Sequence, residues 1–234
     1  MKMLNFNDTF FFEMSLMDMG ASEQNGIVLD NEFTSFPDAE KAPESDEIEL
    51  FEAYVELYNQ VKDGGMVWKL RIADETTRNT ILNDAILKDE LEKNDISLNE
   101  IDQWISGKIT IPSFSEAFSK EGNSKLGYYI TLKHLEEDPH SYIPIDICNS
   151  LTACLKIENG RLINNVFIVD DEALEVYNMN VSLTKYFELA YACKVFMNWQ
   201  TVYIFKSKAI HRRVMIHILP LLFPVASLDL SEFE

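Results

Sequence analysis

Residues 142–169, with the sequence YIPIDICNSLTACLKIENGRLINNVFIV, decide the fold of this chain. The stretch contains three apolar runs, and a pair of turn-forming residues separates each run from the next. The runs are 142–147, 151–157 and 165–169, and the pairs are Asn149-Ser150 and Asn159-Gly160. Asn-Gly between apolar runs is a strong sequence signal for a β-hairpin, because both residues tolerate a positive φ. The stretch therefore predicts three consecutive strands joined by tight turns.

Patterns on both sides of this stretch predict further strands and helices. Apolar or alternating runs predict strands at 10–17, 26–29, 66–72 and 127–132. Capping residues and apolar spacings of three and four predict helices from Asp46 to the Gly64-Gly65 pair, over 75–93, from Ser97 to Gly107, from Ser182 onward and over 207–219. The fold class is therefore α+β, with an antiparallel or mixed sheet and helices packed on it. We expect a single domain over residues 1–234, with a possible boundary at 119–124 (SKEGNS).

The charge balance is strongly acidic. The chain of 234 residues has 20 Lys+Arg against 39 Asp+Glu, a formal net charge of −19. Such a charge repels phosphate backbones and anionic lipid surfaces, so we expect neither nucleic acid nor membrane as a partner. It favours a basic protein partner, because opposite fields speed encounter and select partners. Acidity also keeps a protein soluble without any partner, and that alternative stays open.

The cysteines and the two most apolar segments indicate the compartment. Cys148, Cys154 and Cys193 lie in apolar contexts without Cys-x-x-Cys spacing, which predicts buried free thiols in a reducing compartment. Acidic residues interrupt the first twenty residues, so we expect no secretory signal there. The apolar stretch 214–226 is too short and too interrupted by proline to span a bilayer. We expect a cytoplasmic protein.

The densest acidic segment is the candidate surface for a partner. Residues 30–52 hold nine acids and one base, and Pro37 and Pro43 place the first part of the segment in a loop. We predict that the partner contacts six of these acids, at the end of the loop and the start of the helix that follows: Asp38, Glu40, Glu44, Asp46, Glu47 and Glu49.

Motifs for metal- or nucleotide-dependent chemistry are missing from the sequence. There is no Gly-rich phosphate loop and no GxSxG elbow. The nearest approach to a metal constellation is His134 and His140 with the acids 136–138 between them, but a spacing of six does not put both histidines on one helical face. We therefore expect no cofactor, no metal and no catalytic residue.

An enzyme remains one alternative, through the carboxylates Asp170, Asp171 and Glu172. They directly follow a predicted strand, where catalytic acids often lie. A turn after a strand also favours Asp for local hydrogen bonding, and this explanation is the simpler one.

A DNA-binding regulator is a second alternative. Residues 91–113 (LEKNDISLNEIDQWISGKITIPS) resemble the helix-turn-helix of phage-repressor-like regulators. The matching residues are Ile96, Ser97, Ile101, Trp104, Gly107, Lys108, Pro112 and Ser113. The charge argues against it, because residues 74–125 hold six bases and eleven acids.

One segment has the opposite charge. No Asp or Glu occurs in residues 189–228, which carry Lys194, Lys206, Lys208, Arg212 and Arg213. We expect these bases to balance acids that fold against them.

The second half of the chain resembles a known family. Residues 141–172 (SYIPIDICNSLTACLKIENGRLINNVFIVDDE) and 182–191 (SLTKYFELAY) resemble the latter part of SUKH-superfamily proteins. The matching residues are Pro144, Ile145, Asp146, Leu155, Val166, Asp170, Asp171, Ser182, Leu183 and Phe187. The resemblance implies an α+β fold and a role as an immunity or adaptor protein. Bacterial members of that family often bind and block a toxin, commonly a nuclease.

Overall fold

The computed structural model describes residues 83–97, 105–112, 117, 124–159, 161–206, 211–222 and 230–233, together with the backbone of two earlier strands, 27–33 and 65–72. The chain divides into two compact units. Among the described residues, the first unit holds those between 109 and 187, and the second holds most of the earlier ones and those from 188 onward. The single domain over 1–234 stays a prediction. Residues 119–123 of the possible boundary lie outside the described residues.

The described elements form an α+β fold, as the sequence predicts. The strands are β1 Ile27–Phe33, β2 Gly65–Ile72, β3 Ser106–Thr110, β4 Tyr142–Cys148, β5 Leu151–Glu158, β6 Arg161–Asp170 and β7 Glu175–Asn178. The helices are α1 Ala85–Lys93, α2 Gly127–His134, α3 Leu183–Ala192, α4 Trp199–Phe205 and α5 His211–Leu222. Short 3-10 helices lie at Pro139–Ser141 and Ser231–Phe233.

The strands form two sheets. A three-stranded sheet has the order β1-β2-β3, and a four-stranded antiparallel sheet has the order β4-β5-β6-β7. The strands predicted at 26–29, 66–72, 142–147, 151–157 and 165–169 correspond to β1, β2, β4, β5 and β6. The strand predicted at 10–17 and the helix predicted from Asp46 lie outside the described residues.

Local turn chemistry explains the four-stranded sheet. Asn149 and Asn159 have φ of 53° and 51°, the left-handed conformation that tight hairpin turns need and that asparagine tolerates. The sheet gains one strand that the sequence pattern does not predict, the four-residue β7, which pairs Asp170 with Glu175 through Phe167 with Asn178.

Helix α2 covers one face of this sheet and corrects a prediction. Residues 127–132 are helical, whereas their aromatic and β-branched composition predicted a strand. Tyr128, Tyr129 and Leu132 are buried and pack with Tyr142, Cys154 and Val169, while Ile130 is 58% exposed. Burial at spacings of one and four is the pattern of a helix face; a strand would put Ile130 on the same side as Tyr128. Packing on the sheet therefore overrides local propensity.

Two helix predictions in the second unit differ in part from the structure. Of the helix predicted over 75–93, residues 85–93 form α1 and Asp84 is its N-cap, whereas 75–82 lie outside the described residues. Asp84 Oδ1 accepts hydrogen bonds from the N–H groups of Ile86 and Leu87, both at 3.0 Å. The helix predicted to end at Gly107 is wrong at its end, since Ser106–Thr110 is strand β3. Lys108 N donates to Val195 O, and Met197 N donates to Ser106 O.

The C-terminal helices agree better with prediction. Ser182 caps α3 by accepting the N–H of Lys185 at 3.2 Å. The helix predicted over 207–219 corresponds to α5, which continues through Pro220 to Leu222, while 207–210 lie outside the described residues. Helix α4 is not predicted; it follows Asn198, whose φ is 58°, and buries Trp199 and Val202.

Candidate functional site

The six acids predicted to contact a partner lie outside the described residues. This statement covers Asp38, Glu40, Glu44, Asp46, Glu47 and Glu49. The second candidate site, the carboxylates 170–172, is described in full. It lies at the end of β6, in the turn that leads to β7.

Asp170 and Glu172 have the roles that a turn requires. Asp170 Oδ1 accepts hydrogen bonds from the N–H groups of Glu172 at 3.0 Å and Ala173 at 2.9 Å. This is the local side-chain bond through which aspartate favours turns. The Glu172 side chain is exposed. The turn explanation therefore accounts for the Asp170 carboxylate.

Asp171 differs, because it points inward against α2. Its N–H donates to Ser150 O at 2.9 Å, which ties the turn to the preceding hairpin. Its carboxylate accepts a hydrogen bond from Thr131 Oγ1 at 3.3 Å and lies against Gly127, the first residue of α2. A Cβ atom added to Gly127 would lie 1.8 Å from Asp171 Oδ2, so the approach requires glycine.

The surroundings of Asp171 disfavour its charge. Burial raises its pKa, the hydrogen bond from Thr131 lowers it, and the negative charges of Asp170 and Glu172 raise it again; the resulting pKa is about 6, against an ordinary 3.8. Burial and like charge therefore outweigh the hydrogen bond from Thr131.

The groups behind Asp171 are buried and unreactive. The Cys154 thiol is fully buried, and burial together with the charge of Asp171 raises its pKa well above the ordinary value. A nucleophilic cysteine needs the opposite, a lowered pKa and partial exposure. Tyr128 is 1% exposed, and its hydroxyl has no hydrogen-bond partner among the described residues. The cluster thus offers one proton-binding carboxyl and no activated nucleophile.

The enzyme alternative at 170–172 stays a prediction. The Asp171 pKa of about 6 suits a general base, but the Asp170 carboxylate is accounted for by the turn and Glu172 is exposed.

The histidine constellation is explained by local contacts. Tyr129 Oη and His140 Nε2 are 3.2 Å apart, and the N–H of His140 donates to Asp138. His134 is exposed near the end of α2. Among the described residues, no group of three or more histidines, cysteines or acids could hold a metal ion.

Three of the five bases in 189–228 contact acids or carbonyl oxygens. Arg213 on α5 lies 2.6 Å from Asp89 and 2.8 Å from Glu90 on α1, which confirms for this residue the expected balance of bases by acids. Arg212 Nε donates to Phe233 O, and Lys206 Nζ donates to Glu232 O. Lys194 is 4% exposed and lies over the Tyr191 ring. Lys208 lies outside the described residues.

A second contact joins the same two helices. His217 Nε2 on α5 lies 2.7 Å from Asp84 Oδ2, so the residue that caps α1 also anchors it to α5. Burial raises the pKa of Asp84. The hydrogen bond with His217 and those from the N–H groups of Leu87 and Ile86 lower the pKa by a larger amount, so the net shift is downward.

Within residues 91–113, the structure differs from the predicted helix-turn-helix at the end of the predicted second helix. Gly107 and Lys108 lie in β3, where Gly107 pairs with Phe196. Residues 98–104, which include Ile101 and Trp104 of the resemblance, lie outside the described residues. DNA binding itself stays a prediction.

Sequence reasoning missed Gly127 and Thr131. Both lie on α2, which was predicted as a strand, and neither belongs to a recognised motif. The one available signal is the glycine directly before the apolar run 128–132, a position where close backbone approach is common.

No family model, curated protein or solved structure matches the chain. The resemblance to the SUKH superfamily stays a prediction. Within the described residues, no helix is long and apolar enough to cross a membrane.

Proposed function

We propose that this protein binds a basic protein partner and neutralises or docks it, as an immunity or adaptor protein does; a nuclease toxin is one such partner. The observation that carries the proposal is the uneven use of charge. The net charge is −19, and several of the bases in the described residues are occupied by contacts within the chain.

Several bases in the described residues are held by contacts within the chain, and each ion pair also occupies an acid. Arg213 faces Asp89 and Glu90, and Lys93 lies 2.7 Å from Asp89. Lys156 lies 3.3 Å from Glu137 and 3.9 Å from Glu158, and its ammonium also sits over the Tyr142 ring. A base held in this way is less available to attract an acidic molecule or to repel a basic one.

Two acidic segments contain at most one base. Residues 162–184 contain Asp170, Asp171, Glu172 and Glu175 but no lysine or arginine. Residues 30–52 have nine acids and one base. Fields of this sign accelerate association with a basic surface and oppose association with nucleic acid. The resemblance of residues 141–172 and 182–191 to SUKH proteins supports the same role.

The first test is capture of partners from the native lysate on the immobilised full chain, at low and at high salt. The expected result is a basic protein that salt releases and mass spectrometry identifies. The partner is then purified, and its association rate is measured across a salt series. We expect a fast rate that falls steeply as ionic strength rises, because the charges are screened.

Two quadruple variants locate the surface. Asp38→Asn, Glu40→Gln, Glu44→Gln and Asp46→Asn together should slow association by about tenfold or more at low salt and flatten its salt dependence. The control removes four exposed acids elsewhere: Glu92→Gln, Glu136→Gln, Glu158→Gln and Glu172→Gln. Both variants change the net charge equally. Equal effects would show that net charge alone acts, and an unchanged rate in the first would refute this surface.

A further inference from the structure

We propose that Asp171 is a proton-operated latch: its protonated carboxyl lies against the first turn of α2, and its ionised carboxylate leaves that position for solvent. The latch joins the turn between β6 and β7 to the helix that covers the sheet.

The contact is close and lies where the sheet meets its covering helix. Asp171 Oδ2 occupies the space that a side chain at Gly127 would fill. Thr131, one helical turn further along α2, holds Oδ1 at 3.3 Å. The carboxyl therefore sits against both the first and the second turn of α2.

The backbone on the other side of the carboxyl is fixed. The Asp171 N–H is bonded to Ser150 O, and the Asp170 carboxylate holds the N–H groups of Glu172 and Ala173. These bonds do not involve the Asp171 carboxyl. The side chain can therefore leave α2 by rotation while the turn keeps its backbone.

Every charged or titratable group that shifts Asp171 opposes its negative charge. Asp170 and Glu172 flank it on its own turn, and each raises its pKa. On β5, the charge of Asp171 helps to raise the pKa of the Cys154 thiol. On α2, Thr131 is a neutral donor, and burial together with the charges of Cys154 and Tyr129 raises the pKa of Tyr128. Burial adds to the effect, and together these influences give the carboxyl a pKa of about 6.

The sign of the pH dependence follows from this pKa. Because the folded-state pKa of about 6 exceeds the ordinary 3.8, the folded state binds the proton more tightly than the unfolded state does. The contribution of the latch is fully present below pH 3.8 and is lost as pH rises through about 6. Near neutral pH the carboxylate gains solvation by moving away from α2.

The test is a carbon-detected NMR titration of the Asp171 carboxyl in the full chain, recorded with the amide signals of Gly127 and Thr131. We expect the carboxyl to titrate near pH 6 and the two α2 amides to shift with the same midpoint. In Asp171→Asn, a neutral side chain of the same shape, the amides should stay at their low-pH positions throughout.

Two further variants keep the proposal open to refutation even if Asp171→Asn fails to fold. Asp170→Asn can keep its turn bonds and removes one repelling charge, so the Asp171 midpoint should move down. Thr131→Val removes a hydrogen bond that only the carboxyl held against α2 makes, so the midpoint should move down; a carboxylate that stayed against α2 would lose its donor, and its midpoint would move up. A midpoint at or below about 4 in the natural chain overturns the latch, since that is the ordinary range for aspartate. Amide shifts that persist in Asp171→Asn, or a variant midpoint that moves the opposite way, also overturn it.

Discussion

Tyr186 donates its hydroxyl to Asp146 Oδ2 at 2.7 Å, and both side chains are fully buried. The second oxygen of Asp146 accepts the N–H of Thr110 at 2.9 Å. A buried carboxyl is costly without such partners. The two bonds connect β4 to α3 and to the end of β3, so they fix elements that are far apart in sequence.

Tyr186→Phe should lower the free energy of unfolding by about 1–3 kcal/mol, the cost of leaving a buried acceptor without one of its donors. Urea unfolding monitored by circular dichroism measures it. Tyr203→Phe is the matched control, because Tyr203 is only partly buried. Its effect should be smaller; equal losses in the two variants would mean that the Asp146 bond contributes little.

Asp84 combines an N-cap with a contact to His217, and two substitutions separate them. Asp84→Asn keeps a capping oxygen and loses the charge, whereas Asp84→Ala loses both. We expect Asp84→Ala to lower the free energy of unfolding by about 1 kcal/mol or more, as for other N-caps, and Asp84→Asn to lower it less.

The same residue has a defined pH dependence. Its folded pKa is depressed, so its contribution is present above its unfolded pKa of 3.8 and is lost as pH falls through the lower folded value. Acid unfolding of Asp84→Asn should lack this contribution. The difference in unfolding free energy between the natural chain and Asp84→Asn should therefore shrink as pH falls through this range. A difference that grows instead would contradict a depressed pKa for Asp84.

The sheet was predictable because its signals are local. Apolar runs separated by Asn149-Ser150 and Asn159-Gly160 specify β4, β5 and β6 without reference to the rest of the chain. Strand β7 escaped because it has only four residues and follows a turn in which Leu174 has φ of 55°, a conformation uncommon for leucine.

Helix α2 and the Asp171 contact were not predictable from local patterns. The composition of 127–132 favours a strand, and only the sheet beneath it decides which residues are buried. Once α2 is misassigned, Gly127 and Thr131 cannot be placed beside Asp171. The inward direction of Asp171, rather than of Asp170, is likewise set by packing.

The cysteines should be unreactive in the folded protein. Cys148, Cys154 and Cys193 are at most 2% exposed, and burial raises the pKa of the Cys154 and Cys193 thiols. We expect labelling by a thiol reagent to proceed only through unfolding, so its rate should rise with urea as the unfolded fraction does. Fast labelling of any one cysteine in native buffer would contradict its burial.

Gly127→Ala tests the close approach of Asp171 to α2. The new methyl group would overlap the carboxylate, so the natural chain should lose stability even though alanine is a better helix former than glycine by about 0.5–1 kcal/mol. In an Asp171→Ala background the overlap is gone. There Gly127→Ala should be neutral or should raise the free energy of unfolding.

The two substitutions therefore form a double-mutant cycle with a predicted change of sign, measured by urea unfolding at pH 5. At this pH the carboxyl is mostly protonated, so the proposed latch holds it against Gly127. Destabilisation of equal size in both backgrounds would show that Gly127 is required for a reason other than Asp171.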